Sequence, residues 1–375
     1  VITKSKYARV GISVLALCIV VALLVAVYFD KLQSAPAEVE INEISDILTA
    51  QANQVFDPVL PDSPVRLPSD FAFHNEFQHE WWHFFANVTD ENGEEYGVQW
   101  SYFRIASNDS NMSGWLSPQI FVSHVVISSK DKVWREQRIA RGGIGQAGMT
   151  NQPFRVWIDN WYWRSLGRTP FPGQLVAATD TFALELKTAT RGPYVIPGER
   201  GYQQKHDLLP VASYNITAPF LRVKGTLHLG DDKHVSVTGD AWMSKEWGSG
   251  LMAEGQKGWD WFVLRLDDDK TLSVSRYRHN QQLPYMFATL STNDGKVYEI
   301  KSDEIVMEPI QPEAMQNGKQ VPTRWFIHIP KYNINLSTRV TNADLWLPFV
   351  IPYWEGPIKA TGSHSAKGFM QLTGY

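Results

Sequence analysis

Two carboxylates and two indoles fall within the ten residues Gly239-Asp240-Ala241-Trp242-Met243-Ser244-Lys245-Glu246-Trp247-Gly248. If the segment is extended, Asp240, Trp242, Ser244 and Glu246 share one face. A carboxyl group beside an indole in a partly buried site has a raised pKa and can serve as a general acid. The competing reading is a strand end whose carboxylates bond to backbone or pair with arginine. Trp259-Asp260-Trp261 repeats the theme, and Tyr353-Trp354-Glu355-Gly356 adds another indole beside a carboxylate. His124, within Phe121-Val122-Ser123-His124-Val125-Val126, is a lone polar residue in an apolar strand. A core imidazole bonded to a neighbour competes there with a catalytic one. Met243-Ser244-Lys245 is not a Ser-Lys dyad signature, and the chain has no Gly-x-Ser-x-Gly elbow.

His79-Glu80-Trp81-Trp82-His83 matches the H-E-x-x-H string of zinc proteases. That chemistry needs a helix, which brings residues i and i+4 together on one face. In a strand the two imidazoles would lie roughly 13 Å apart, at about 3.3 Å per residue, too far to share a zinc. Trp81, Trp82, Phe84, Phe85 and Val88 are β-type side chains. Thr89-Asp90-Glu91-Asn92-Gly93 is turn chemistry. Tyr96, Val98, Trp100, Tyr102 and Arg104 then alternate with Gly97, Gln99, Ser101 and Phe103, as in a second strand. The segment reads as a hairpin, with no metal site.

The elements positioning these residues read as all-β. The chain has 375 residues, long enough for two ordinary domains, and its 13% aromatic content includes 15 Trp. From Phe71 onward short alternating segments are separated by Gly, Pro, Asn and Asp, with no long helical period. A net charge of −4, with no basic run, P-loop or G-x-G-x-x-G, gives no sign of nucleic acid. The single cysteine, Cys18, excludes an intrachain disulfide and a cysteine-based zinc cage.

Val10 to Phe29 is an uncharged apolar run long enough to span a bilayer, preceded by Lys4, Lys6 and Arg9. The basic flank predicts a cytoplasmic N-terminus and a translocated bulk. An uncleaved anchor is the favoured reading; Ala35-Pro36-Ala37 keeps a cleaved signal open. The expected organisation is a stub and anchor over 1–31 and a tether over 32–68, in which 41–54 could form a short helix. Two β-domains follow over 69–250 and 251–375. The two-domain reading rests on an internal repeat. Trp82-His83-Phe84-Phe85-Ala86-Asn87-Val88-Thr89-Asp90 resembles Trp259-Asp260-Trp261-Phe262-Val263-Leu264-Arg265-Leu266-Asp267. Likewise Lys224-Gly225-Thr226-Leu227 leading to Val237-Thr238-Gly239-Asp240 resembles Lys359-Ala360-Thr361-Gly362 leading to Leu372-Thr373-Gly374-Tyr375.

Taken in order, Glu80-Trp81-Trp82, Phe121 to His124, the 239–247 block, Trp259-Asp260-Trp261-Phe262, Tyr353-Trp354-Glu355-Gly356 and Gln371-Leu372-Thr373-Gly374-Tyr375 resemble the AttH/CrtC-type lipocalin-like family over about Phe71 to Tyr375. The resemblance implies two tandem lipocalin-like antiparallel β-barrel or sandwich domains. The family includes secreted proteins labelled hydrolases or components of ABC transport systems, and carotenoid 1,2-hydratases. The implied function is binding of a hydrophobic or lipid-like molecule by a membrane-anchored periplasmic protein, with an ABC transporter permease as a partner and no cofactor. The alternative is a hydratase or hydrolase acting on an isoprenoid or lipid. In that case Asp240, Glu246 or Asp260 would be the acid. Trp82, His83, Tyr102, His124, Trp242, Trp247, Trp259, Trp261 and Trp354 are the expected ligand contacts. Two departures stand out. Ser244-Lys245 occupies a place where many members have Asp and a basic residue, and His83 stands where the family usually has Tyr.

Overall fold

A computed structural model describes residues 55–375 apart from 231–232 and 316–317. The apolar run Val10 to Phe29 and the expected helix over 41–54 lie outside the described residues. Among the described residues no helix is long and apolar enough to cross a membrane. Helical structure there amounts to four three-residue 3₁₀ turns.

The first sheet contains β1 (His79–Asp90), β2 (Glu95–Ala106), β3 (Gln119–Ser128), β4 (Val133–Arg141), β5 (Ala147–Asn151), β6 (Phe154–Ile158), β7 (Trp161–Ser165), β8 (Gly173–Ala178), β9 (Phe182–Thr190), β10 (Tyr202–Gln204), β11 (Ala212–Leu229) and β12 (Lys233–Gly248). The second contains β13 (Gln256–Arg265), β14 (Lys270–His279), β15 (Tyr285–Thr292), β16 (Val297–Ile300), β17 (Val306–Ala314), β18 (Gln320–Ile329), β19 (Ile334–Val340), β20 (Trp346–Leu347), β21 (Tyr353–Gly362) and β22 (Ala366–Thr373).

The strand order of the first sheet is β4-β3-β2-β1-β12-β11-β9-β8-β7-β6-β5, a nearly closed barrel; that of the second is β16-β15-β14-β13-β22-β21-β19-β18-β17, a half-barrel. Both are antiparallel meanders whose first strand pairs with their last, β1 with β12 and β13 with β22. The internal repeat maps onto this plan strand by strand but not residue by residue: Trp82 faces the first core while its aligned Trp259 lines the space between the sheets, and Phe85 and Phe262 are reversed in the same way, so the true equivalence is shifted by one residue. Its first element is β1 in one sheet and β13 in the other. Its second is the closing hairpin, β11–β12 or β21–β22. Both sheets lie in one compact unit.

The β1–β2 hairpin forms as the side chains dictate. Gly93 takes φ 84°, and the Asp90 carboxylate accepts the N–H groups of Asn92 and Glu94, each at 2.9 Å. In β1 the even positions Trp82, Phe84, Ala86 and Val88 enter the core of the first sheet. The odd positions turn to the second sheet, where Phe85 stacks on Phe369 at 4.9 Å and joins Trp242 and Val263. Both faces are buried, so aromatics occupy both parities of the strand. In β13 the parity is the same in kind: Phe262 and Leu264 fill the second core, while Trp261 packs on the first sheet.

Candidate functional site

The buried contact between the sheets opens into a cavity of about 80 Å³. The odd face of β1 contributes Trp81 and His83, and the even face of β12 contributes Trp242 and Glu246. Trp259 and Trp261 of β13 stand opposite. Phe103, Tyr277, Phe287 and Tyr353 complete an aromatic wall. The space holds a few waters; ordinary small-molecule pockets are several times larger. A ring-bearing ligand therefore has to part the walls.

Lys205 reaches in beside β11 and pairs with Glu246, its side chain only 1% exposed. The ammonium lies 5.8 Å from the Trp81 ring and 5.9 Å from that of Tyr277. Burial pushes the Glu246 carboxyl up, but the Lys205 charge and hydrogen bond outweigh it and hold the pKa below the ordinary value. Glu246 is therefore an anion at neutral pH.

On the other side, three neighbouring strands place His83, Ser101 and His124 in one cross-strand row. His83 Nδ1 is 2.9 Å from Ser101 Oγ, which leaves Nε2 as the ring nitrogen for a ligand. Tyr353 comes from the second sheet and puts its hydroxyl 2.6 Å from His124 Nδ1. Burial lowers the His83 pKa to about 4, with Glu246 opposing, and lowers that of His124 to about 3, with His83 adding. Burial and then Glu355 raise the Tyr353 hydroxyl well above its usual value, against a hydrogen bond from Ser101. At neutral pH the row thus holds two neutral imidazoles and a protonated phenol.

One layer behind, Glu355 sits fully buried between two amides. Gln99 Nε2 donates to Oε1 at 3.1 Å and Gln371 Nε2 to Oε2 at 2.6 Å, while Gln371 Oε1 accepts the Trp259 indole N–H at 2.8 Å. Burial raises this carboxyl to about 8 against both amides, so it is largely protonated at neutral pH. Gln99 Oε1 has no partner, and half a turn of that amide pairs it with the carboxyl proton.

Of the residues singled out by sequence, His83, Trp242, Glu246, Trp259 and Trp261 converge on this cavity, and His124 touches it through Tyr353. Trp82 lies in the first core, stacked on Phe71, and Trp247 lies there against the His74 ring at 4.2 Å. Tyr102 donates its hydroxyl inside the same core to the carbonyl of Trp157 at 2.9 Å. Trp354 is in the second core, bonded to the Ala343 carbonyl. Asp240 shares the cavity-side face of β12 but lines a separate groove, paired with Arg222 at 3.2 Å and near Arg265 at 3.9 Å. Asp260 is buried on the other parity of β13, bound by Arg276 at 3.0 Å, Arg278 at 3.3 Å and the Tyr375 hydroxyl at 2.8 Å. Strand parity makes the division: each Trp-Trp or Trp-carboxylate neighbour pair sends one member to the interface and one into a core.

Lys205, Ser101, Tyr353, Gln371 and Glu355 were not expected as site residues. Tyr353 and Glu355 flank a tryptophan in a block the sequence does display, but Lys205 sits in a connection without periodicity. Ser244 faces His83 across the β1–β12 pair. The H-E-x-x-H string is β-strand, as its side chains predict, and no group of three His, Cys, Asp or Glu side chains poised for a metal exists among the described residues.

A crystal structure from Nitrosomonas europaea, described as an AttH, shares 27% identity at a TM-score of 0.78, over 85% of this chain and 99% of that one. Kievitone hydratase from Nectria haematococca superposes at a TM-score of 0.61 with 14% identity, over 86% and 97% of the two chains, which establishes shared fold. Among curated proteins none matches in sequence. The AttH-like family model matches residues 58–375. The chain belongs to the AttH-like family, with the lipocalin-like fold of its relatives.

Proposed function

We propose that the inter-sheet cavity is an acid–base site for a small, hydrophobic, unsaturated molecule, and that its reaction is the addition or removal of water. The observation carrying this reading is the convergence of buried titratable groups within an aromatic wall: neutral His83 on one side and the Lys205–Glu246 pair on the other. A carrier that only holds its ligand has no need of such groups deep in its pocket. Among the described residues the wall carries no neutral carboxylic acid, because Glu246 is ionised. A C=C bond conjugated to a carbonyl therefore suits the site better than an isolated alkene. In the hydration direction His83 takes a proton from water as the C–O bond forms, and Lys205 stabilises the enolate oxygen. The proton then returns to the α-carbon, so alkene and water give an alcohol.

The indole-rich wall also suits a second reading, a carrier that returns the same class of molecule unchanged. In either case the run Val10 to Phe29 would anchor the protein in the inner membrane with its sheets in the periplasm. An ABC-type exporter is the partner the family resemblance suggests.

The test incubates the full chain with conjugated enones and with isolated alkenes in isotope-labelled water. Label in the product of an enone, falling about 10²- to 10⁴-fold in His83→Asn with the fold intact, is the expected result. Binding without incorporation would leave the carrier reading, and neither binding nor turnover would end both.

A further inference from the structure

The outer face of the first sheet carries a row of cations that its own fold does not neutralise. Arg155 on β6 is the register partner of Arg164 on β7, Arg164 of Gln174 on β8, Gln174 of Lys187 on β9, and Lys187 of Lys224 on β11. The row crosses five adjacent strands, about 19 Å at about 4.8 Å per strand. All four cations are exposed and none makes an ion pair among the described residues. Like charges placed directly opposite each other across strands destabilise a sheet, and this sheet does so twice, at Arg155–Arg164 and Lys187–Lys224. On this face Glu185 accepts the Gln174 amide N–H at 2.8 Å, Gln174 in turn accepts from the Arg164 guanidinium at 2.9 and 3.1 Å, and Asp240 pairs with Arg222, so one carboxylate stands against four cations.

The same face forms an open groove of about 1420 Å³, and no Asp or Glu lines it among the described residues. The Arg155 guanidinium lies over the Trp157 ring at 4.9 Å, and that of Arg164 over the Tyr162 ring at 5.0 Å. At the rim the β7–β8 loop presents Leu166, which is 100% exposed, with Arg168 following it. Cations flanked by Trp and Tyr, with an unsupported leucine at the edge, match the chemistry of an anionic bilayer surface. Phosphates meet the charges, the aromatic rings sit at headgroup level, and the leucine enters the acyl boundary.

We propose that this face docks on an anionic phospholipid surface through Arg155, Arg164, Lys187 and Lys224, with Leu166 as its apolar contact. The docking is separate from the cavity chemistry, so either can fail without the other.

The test adds the full chain to vesicles of phosphatidylcholine alone, or of phosphatidylcholine with phosphatidylglycerol, at low salt. Hydrogen exchange is read locally over residues 150–190, whatever the N-terminal run does. Protection in the anionic vesicles only, abolished by salt, is the expected result. Four cations should favour the anionic surface by about 600-fold, about fivefold for each. The variant R155Q/R164Q/K187Q/K224Q should lose the protection. Its Tm at low salt should rise, because opposed like charges are removed, which also shows that it folds. Leu166→Ser should weaken docking with the charges intact. Equal exchange with both vesicles, or a variant that docks as well as the parent, would overturn the proposal. So would inositol hexakisphosphate protecting the row while anionic vesicles do not, since the occupant would then be a free polyanion.

Discussion

His124 and Tyr353 are 229 positions apart in the chain, and their side chains meet at 2.6 Å, Nδ1 to Oη, across the boundary between the two sheets. The contact joins a strand of the first meander to the first residue of β21. It is fully enclosed, and the other imidazole nitrogen of His124 has no partner at all. Tyr353→Phe would leave both ring nitrogens unmet, at a cost of about 1–3 kcal/mol. The denaturant midpoint should fall at an unchanged m-value. Combining the change with His124→Leu should cost less than the sum of the single variants; strict additivity would show that the contact does not couple the sheets.

Acid should unfold the protein through its buried imidazoles. The folded His83 has its pKa lowered from the ordinary 6.5 to about 4, and His124 to about 3. Their stabilising contribution is therefore complete above pH 6.5 and is lost as pH falls through the folded values, because the unfolded chain takes up the protons first. For His83 alone the loss amounts to roughly 3 kcal/mol. His83→Asn should flatten the stability profile between pH 6.5 and 4, and an unchanged slope would mean that His83 is solvated.

Glu355 carries the opposite sign. Its folded pKa is raised from 4.5 to about 8, so its contribution is complete below pH 4.5 and is lost as pH rises through 8. Glu355→Gln keeps an uncharged, hydrogen-bonding group between Gln99 and Gln371. Thermal melts should show the variant gaining on the parent as pH rises from 4.5 to about 8. Parallel melting profiles across that range would place a charge on Glu355 at neutral pH.

Glu80, the acid of the H-E-x-x-H string, holds the fold together instead of a metal. Its carboxylate is 2.6 Å from Lys245 Nζ and 3.5 Å from Arg104 Nε, with all three side chains fully buried. Burial pushes its pKa up, but Lys245, His74 and Arg104 together drive it well below the usual carboxylate range. Glu80→Gln strands two enclosed cations and should cost about 3–5 kcal/mol, read as a collapse in Tm or in soluble yield. A variant as stable as the parent would mean that water reaches the pair.

The sequence made the strands legible because alternation and turn chemistry act locally. The hairpin at His79 to Ala106 and the repeated first and last elements could be read directly from residue types. Which face of each strand met which neighbour could not. Trp81 and Trp82 are equivalent as letters, yet one lines the cavity and the other fills the first core. That choice depends on a second sheet lying across the first, and the contact is made by residues hundreds of positions away. Asp240 and Asp260 drew attention as carboxylates beside indoles, but the arginines that occupy them come from other strands. Lys205 gave no signal because a lone lysine in an irregular connection is normally solvated. Here the partner that accounts for its burial, Glu246, lies on β12.

Each sheet pairs its first strand with its last, His79 with Gly248 in one and Asp260 with Leu372 in the other. The cavity draws its walls from all four of those strands. A nascent chain emerging from its N-terminus therefore holds β1 unpaired on one side until β12 follows, and contacts this distant in sequence form late. The wall residues furthest along the chain, Gln371 and Thr373, are made after the rest of the wall. A chain released before them has no complete pocket, so a working site attests that synthesis passed β22.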